Sequence, residues 1–228
     1  MPRSRNTVFL QGYVTDVKNQ GSCGSCWAFA AVASMEAAYF EKHGHTLPMS
    51  EQQLLDCDTR SKGCQGGWYD WAWKYVHEQR AIEVQTEYPY TGRKGTCKYD
   101  QNGSITNVLG CRGGPNYFCK GRGKVGYESE LKKMLNDRPV AVAVDASSWQ
   151  FYSSGILNCG SSGRLNHAVL AVGYEHYGTW DKDAHYIIKN SWGTSWGESG
   201  YVRIKAGGYK WPYNPCGVAD YPAYSIAE

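Results

Sequence analysis

The sequence predicts an α+β protein built as two subdomains, and three observations carry that reading. Residues 27–40 (WAFAAVASMEAAYF) form one apolar run without Gly or Pro, rich in alanine and long side chains that favour helix. Past residue 126 the character changes to short β-rich runs: Val140-Ala141-Val142-Ala143-Val144, His167 to Tyr174, His185 to Lys189 and Tyr201 to Lys205. No internal repeat or low-complexity tract breaks the chain, so a helical first half followed by a stranded second half points to segregated layers.

The elements follow in order. Apolar residues occupy nearly every side of the 27–40 run, so its helix is predicted to be buried rather than amphipathic. A loop rich in Gly and Ser, Gln20-Gly21-Ser22-Cys23-Gly24-Ser25, leads into it and leaves Cys26 in the first turn. Unpaired N–H groups there carry partial positive charge and favour thiolate over thiol. Ser50-Glu51-Gln52-Gln53 reads as a capping box opening a short helix through Asp56. Residues 68–79 give a third helical segment rich in Trp and Tyr. Residues 80–125 read as irregular and disulfide-stapled, and Asn102-Gly103-Ser104 is a glycosylation sequon. Glu128 to Asn136 predicts a short helix that stops before Pro139.

Composition narrows the function. At 228 residues, with 9 Trp and 18 Tyr, the chain buries a sizeable core and is not disordered. A net charge of +3 without a basic run gives no case for nucleic acid. No stretch is long and apolar enough to span a membrane, and Met1-Pro2-Arg3-Ser4 has no apolar signal core. Nine cysteines point to disulfides in an oxidising compartment, or to metal or redox chemistry in a reducing one, and an odd count leaves at least one unpaired. Their scatter offers no zinc spacing, so no metal is expected, and no cofactor.

Cys23-Gly24-Ser25-Cys26-Trp27 is the signature of the papain and cathepsin peptidases. The chain resembles that family, in its papain and cathepsin L-like branch, over most of its length. Val17-Lys18-Asn19-Gln20-Gly21, Gly63-Cys64-Gln65-Gly66-Gly67, Asn166-His167-Ala168-Val169 and the run from Lys189-Asn190-Ser191-Trp192 to Gly197 also match, in the family's order. Residues 1–13 match least, with Arg5-Asn6-Thr7-Val8 where the family carries Asp-Trp-Arg. The resemblance implies a single peptidase domain over 1–228. Within it, 12–112 would be mainly helical and 113–211 mainly an antiparallel, barrel-like β subdomain, with the active-site cleft between them; 212–228 would return toward the helical side. It implies disulfides Cys23–Cys64, Cys57–Cys97 and Cys159–Cys216. Cys111 and Cys119 remain, and the turn-rich segment between them could close a local fourth bridge. It also implies a mature form of a zymogen, lysosomal, vacuolar or secreted. Polypeptides would be its substrates, its own prosegment and cystatin-type proteins its inhibitors, and a monomer its working state.

The chemistry rests on four residues. Cys26 is the candidate nucleophile, needing a helix N-terminus and an imidazolium to hold its thiolate. His167, at the start of an apolar strand, is the candidate partner. His43, His45, His77, His176 and His185 take structural or surface readings, and only the matched context separates His167 from them. Asn190 would orient the imidazole while staying neutral, with Trp192 shielding that bond from water. Gln20 would be the side-chain donor to the oxyanion, beside the Cys26 N–H. By resemblance Gly66 and Gly67 lie along the substrate. Trp68, Tyr69, Ala143, Leu165, Asn166, Ala168 and Trp192 line subsites, with Tyr221 as a pocket floor. Three large aromatics predict a shallow apolar pocket taking proline or a small or β-branched aliphatic before the scissile residue. Lys62, at the cleft rim, adds a preference for acidic or polar residues one position further out.

Other classes stay in view. A thiol-disulfide oxidoreductase would use Cys23 and Cys26 as a redox pair, against which stand the absence of a preceding βαβ pattern and the expected Cys23–Cys64 bond. A catalytically inactive papain-like binding protein is opposed by the intact Cys26, His167, Asn190 and Gln20. Within the family, an endopeptidase is favoured: no His-His insertion lies between Cys64 and Cys97 and no His-Ile-Pro insertion near Cys23 to block one end of the cleft.

Overall fold

The computed structural model describes residues 12–99, 127–160, 163–176, 183–206 and 214–226. Asn102, Cys111 and Cys119 lie outside the described residues, as do residues 1–11.

Four helices are described: α1 (Cys26–His43), α2 (Glu51–Cys57), α3 (Tyr69–Gln79) and α4 (Glu128–Leu135). The apolar run forms α1 and ends at Gly44, whose left-handed φ of 76° lets its N–H return to the Phe40 carbonyl. Only the N-cap half of the expected capping box forms: Ser50 Oγ accepts from the Gln53 N–H at 3.0 Å, whereas the Ser50 N–H donates to the Glu83 carbonyl and the Gln53 side chain turns to the Glu83 N–H. Five strands follow: β1 (Val140–Val144), β2 (Ile156–Leu157), β3 (His167–Glu175), β4 (His185–Lys189) and β5 (Tyr201–Lys205). They make one sheet in the order β1-β3-β4-β5-β2. All its pairings are antiparallel except β2 with β5, which is parallel. The short β2 was not expected from the sequence, because two residues carry no period.

The two-residue period of β1 explains how helix and sheet meet. All five β1 residues are buried, but they face different cores. Ala141 and Ala143 join the cluster of α1, α2 and α3 side chains, with Ala168 of β3. Val140, Val142 and Val144 face the other way, into a cluster with Trp149, Tyr186, Ile188, Val202 and Ile204. Alternation across the strand therefore gives α1 a sheet face of small residues. α1 brings its own alanines to it, including Ala30 and Ala31, each almost fully buried. The C-terminal segment crosses both cores: Ala223 pairs with Ala141 in the sheet, and the Ser225 N–H donates to Ser34 Oγ of α1 at 2.9 Å.

Register sets the site. Val144 stands opposite His167, and Leu170 opposite Lys189. The antiparallel pairing thus brings the start of β3 and the residue after β4, Asn190, to the same edge of the sheet, facing the N-terminus of α1.

Candidate active site

The loop that leads into α1 is held by main chain. Cys23 is bonded to Cys64, the Gly24 N–H donates to the Cys64 carbonyl at 3.0 Å, and Gly24 bridges Gln65 in parallel. A Cβ on Gly24 would lie 2.5 Å from the Cys64 carbonyl oxygen, and one on Gly67 2.6 Å from the Trp27 ring. At Gly24 only glycine lets the two stretches of backbone run this close, and at Gly67 it leaves room for the Trp27 and Ser61 side chains. Disulfides Cys57–Cys97 and Cys159–Cys216 are also formed. Cys26 is the free cysteine among the described residues. With Cys23 already bonded to Cys64, the Cys23–Cys26 redox pair is not formed.

Cys26 opens α1 and is half-buried. Burial pushes its thiol up; the backbone N–H groups of Ala168 and Trp27, together with its own, work the other way. Ala168 follows His167, so the sulfur lies against the start of β3. The imidazole is 8% exposed, and burial pulls it down to about 4, with the Asn190 hydrogen bond opposing. His167 Nε2 and Asn190 Oδ1 are 2.7 Å apart. The same Oδ1 accepts the Ser191 N–H at 2.8 Å, which fixes it as the acceptor. Nε2 therefore carries its proton, and Nδ1 is left for chemistry. Trp192 tilts over the imidazole at 5.0 Å, and Trp149 meets it edge-on at 5.9 Å.

Gln20 is buried and pinned on every polar group. Its N–H donates to the Ser191 carbonyl. Its Oε1 accepts from Ser191 Oγ at 2.7 Å, and its Nε2 donates to the Cys23 carbonyl at 2.9 Å. One Nε2 hydrogen remains.

The expected substrate wall differs in two places. Tyr69 is 1% exposed: as the first residue of α3 it turns into the helical core, and its hydroxyl donates to the Tyr221 carbonyl. Tyr221 is 44% exposed, at a rim rather than a closed floor, with its ring meeting Trp68 edge-on at 5.4 Å. Trp68 in turn stacks on Tyr69 at 5.0 Å. Gly66 has open space where a Cβ would stand. Leu165 is half-buried, while Ala143 and Ala168 are buried. Asn166 braces the His167 turn, accepting the Ala146 N–H at 2.9 Å and donating to Ser147 Oγ at 3.0 Å.

Beside the site lies a charged cluster that sequence reasoning missed. Lys18 Nζ donates to Glu36 at 2.8 Å and to Glu51 at 2.6 Å, and Lys189 Nζ to the Thr15 carbonyl at 2.6 Å. Burial pushes Glu51 up to about 7, with Lys18 opposing, and pulls Lys189 down to about 8. Burial also works against the Lys18 ammonium, but the two carboxylates outweigh it and hold Lys18 above its ordinary value. The signal was there: Glu36 is an acid set among the alanines of a buried helix, and Lys189 ends an apolar strand. Among the described residues no group of His, Cys, Asp and Glu is placed to hold a metal.

The family model "Papain family cysteine protease" matches residues 1–226. Procathepsin L of Rattus norvegicus is 41% identical over 226 residues, covering 96% of this chain. Digestive cysteine proteinase 2 of Homarus americanus is 39% identical over 224 residues, covering 95% of this chain. This chain spans 64% of the length of each of those two relatives. The inhibitor-bound bromelain protease of Ananas comosus superposes with a TM-score of 0.81 at 38% identity, covering 95% of both chains. Digestive procathepsin L 3 of Tenebrio molitor superposes with a TM-score of 0.83 at 34% identity, over 99% of this chain and 71% of that one.

Proposed function

The chain belongs to the papain family of cysteine proteases, and from that premise we propose that it is an open-cleft endopeptidase with Cys26 as nucleophile and His167 as its acid and base. The observation that carries this reading is the 2.7 Å bond between His167 Nε2 and Asn190 Oδ1, because it leaves Nδ1 as the nitrogen that serves a thiol at the N-terminus of α1.

The Cys26 thiolate attacks the peptide carbonyl carbon. The carbonyl electron pair moves to oxygen, which the Cys26 N–H and the remaining Gln20 Nε2 hydrogen stabilise. His167 gives its Nδ1 proton to the amine as the C–N bond breaks, leaving a thioester on Cys26. Neutral His167 then takes a proton from water, the hydroxide attacks the thioester, and the acid product departs as the thiolate and imidazolium are restored. Burial alone favours neutral thiol and neutral imidazole, so the ion pair must form as a unit, each charge serving as the other's counter-ion.

Around this centre, 12–112 and 113–211 act as the two sides of one cleft, with 212–228 returning to the helical side. Substrates are polypeptides, and a prosegment and cystatin-type proteins are the expected inhibitors of a monomeric enzyme. Three disulfides fit a lysosomal, vacuolar or secreted setting. Trp68, backed by Tyr69 and edged by Tyr221, narrows the pocket next to Gly66, so proline and valine are preferred before the scissile residue. A substrate panel varied only there checks this; clear superiority of phenylalanine and leucine overturns it.

Labelling with a thiol-directed inhibitor and assay of Cys26→Ala test the whole reading. Stoichiometric labelling of Cys26 and complete loss of turnover in a folded Cys26→Ala protein are expected. Substantial hydrolysis by that variant sinks the proposal.

A further inference from the structure

Tyr90 lies in a stretch that the sequence reads as irregular, yet its hydroxyl sits beneath the nucleophile loop. Tyr90 Oη donates to the Gln20 backbone carbonyl at 2.8 Å and lies 2.7 Å from Ser25 Oγ. Its single proton is committed to Gln20, so the Ser25 hydroxyl must be the donor in the second bond. The result is a directed chain, Ser25 O–H to Tyr90 O–H to Gln20 C=O.

Its two ends are the two shoulders of the oxyanion site. Ser25 is fully buried, is bonded through its peptide to Cys26, and as the N-cap of α1 accepts the Ala28 N–H at its backbone carbonyl at 2.8 Å, which leaves its hydroxyl out of the cap. Gln20 carries the side-chain donor. The Tyr90 ring is fixed from elsewhere: it packs edge-on against Phe29 at 5.0 Å, and the next residue, Thr91, is tied through its N–H to Gln52 at 2.8 Å. Burial holds the hydroxyl above its ordinary range, with the Ser25 bond opposing, so it stays protonated as a donor through the working pH range.

We propose that Tyr90 is a positioning residue for the oxyanion site: its hydroxyl sets the spacing between Gln20 and Cys26. The inference rests on the roles given to Gln20 and Cys26 above. It identifies Tyr90 as the member of the site that touches neither substrate nor sulfur. A hydroxyl that spans two backbone segments fixes a distance to a few tenths of an ångström, and oxyanion donors are sensitive on that scale.

The test is a double-mutant cycle between Tyr90→Phe and Gln20→Ala on a peptide substrate, with affinity for a matched peptide aldehyde and the pH dependence of iodoacetamide alkylation measured alongside. The phenylalanine ring keeps the Phe29 contact. Tyr90→Phe should lower kcat about tenfold with KM within about twofold, and weaken the aldehyde in proportion, because the thiohemiacetal oxygen occupies the same site. The alkylation profile should not move. In the Gln20→Ala background, adding Tyr90→Phe should cost less than about twofold. An unchanged kcat, a fully additive loss, or a shifted alkylation profile overturns the proposal. If Tyr90→Phe does not fold, Ser25→Ala breaks the same chain from its other end and the cycle is run with it. Wild-type turnover that Cys26→Ala abolishes secures the catalytic reading independently, so failure here is distinguishable from failure there.

Discussion

The proposed nucleophile and the proposed base are held by different means. On the nucleophile side the fixings are main chain and covalent: the Cys23–Cys64 disulfide, the Gly24 to Cys64 hydrogen bond, and two glycines packed where a Cβ has no room. On the base side they are side chains: a carboxamide oxygen at 2.7 Å and two indoles. The sulfur is thus located by the path of the backbone, and the imidazole by groups that substitution can remove singly. Changes on the first side should damage structure and chemistry together, whereas changes on the second should separate them.

The largest contrast expected is between Gly24→Ala and Asn190→Ala. The added methyl at Gly24 meets backbone rather than a movable side chain, so the loop must shift; kcat should fall by about 10²-fold or more, with a lower Tm. Asn190→Ala should lower kcat about tenfold and leave Tm nearly unchanged. Thermal unfolding beside steady-state kinetics decides it; equal loss of Tm in both variants would erase the distinction between the two sides.

The next effect is electrostatic and reports on the cross-cleft pair. Burial draws His167 down to about 4, and the proposed mechanism requires the Cys26 thiolate to reverse this. NMR titration should find the imidazole protonated past neutrality in the wild type and titrating near its burial-set value in Cys26→Ala. The same titration in both proteins would mean that the thiol contributes no counter-charge.

The smallest expected effect concerns the charges between the two sides. Burial pushes Glu51 from an ordinary 4.5 up to about 7 in the fold, with Lys18 opposing. A carboxyl raised by folding binds more protons folded than unfolded, so its stabilisation is full below about 4.5 and is lost as pH rises through about 7. Glu51→Gln removes this dependence. Denaturant unfolding should show the variant gaining about 2–3 kcal/mol on the wild type between pH 4.5 and pH 8. A constant gap across that range would mean that Glu51 stays ionised throughout.

Much of the architecture was legible because it is periodic. The unbroken apolar run gave α1, and β1 and β3 declared themselves through apolar strands bounded by turn residues. The Ser50 N-cap was readable because its bond spans only three residues, whereas the other half of the expected box was lost to Glu83, thirty residues away. What was not legible depends on approach between distant segments. Tyr69 was expected at the cleft wall, but adjacency in sequence to Trp68 does not say which ring turns inward. Tyr90 reaches residues 65 and 70 positions away, and nothing local marks that. Chemistry alone left six histidines open, and it was the motif around His167 that chose among them.

The tail that joins both cores has a consequence for how the protein is made. Ser225 bonds to Ser34 across 191 residues, and Ala223 completes pairing at Ala141. Synthesis is vectorial, so α1 leaves the ribosome long before the segments that cover it. Until β1, β3 and then residues 221–226 emerge, that alanine face lacks its sheet partner and the nascent chain displays an apolar surface. Long-range closure of this kind folds slowly, and in that interval the chain is a client for chaperones and a target for aggregation.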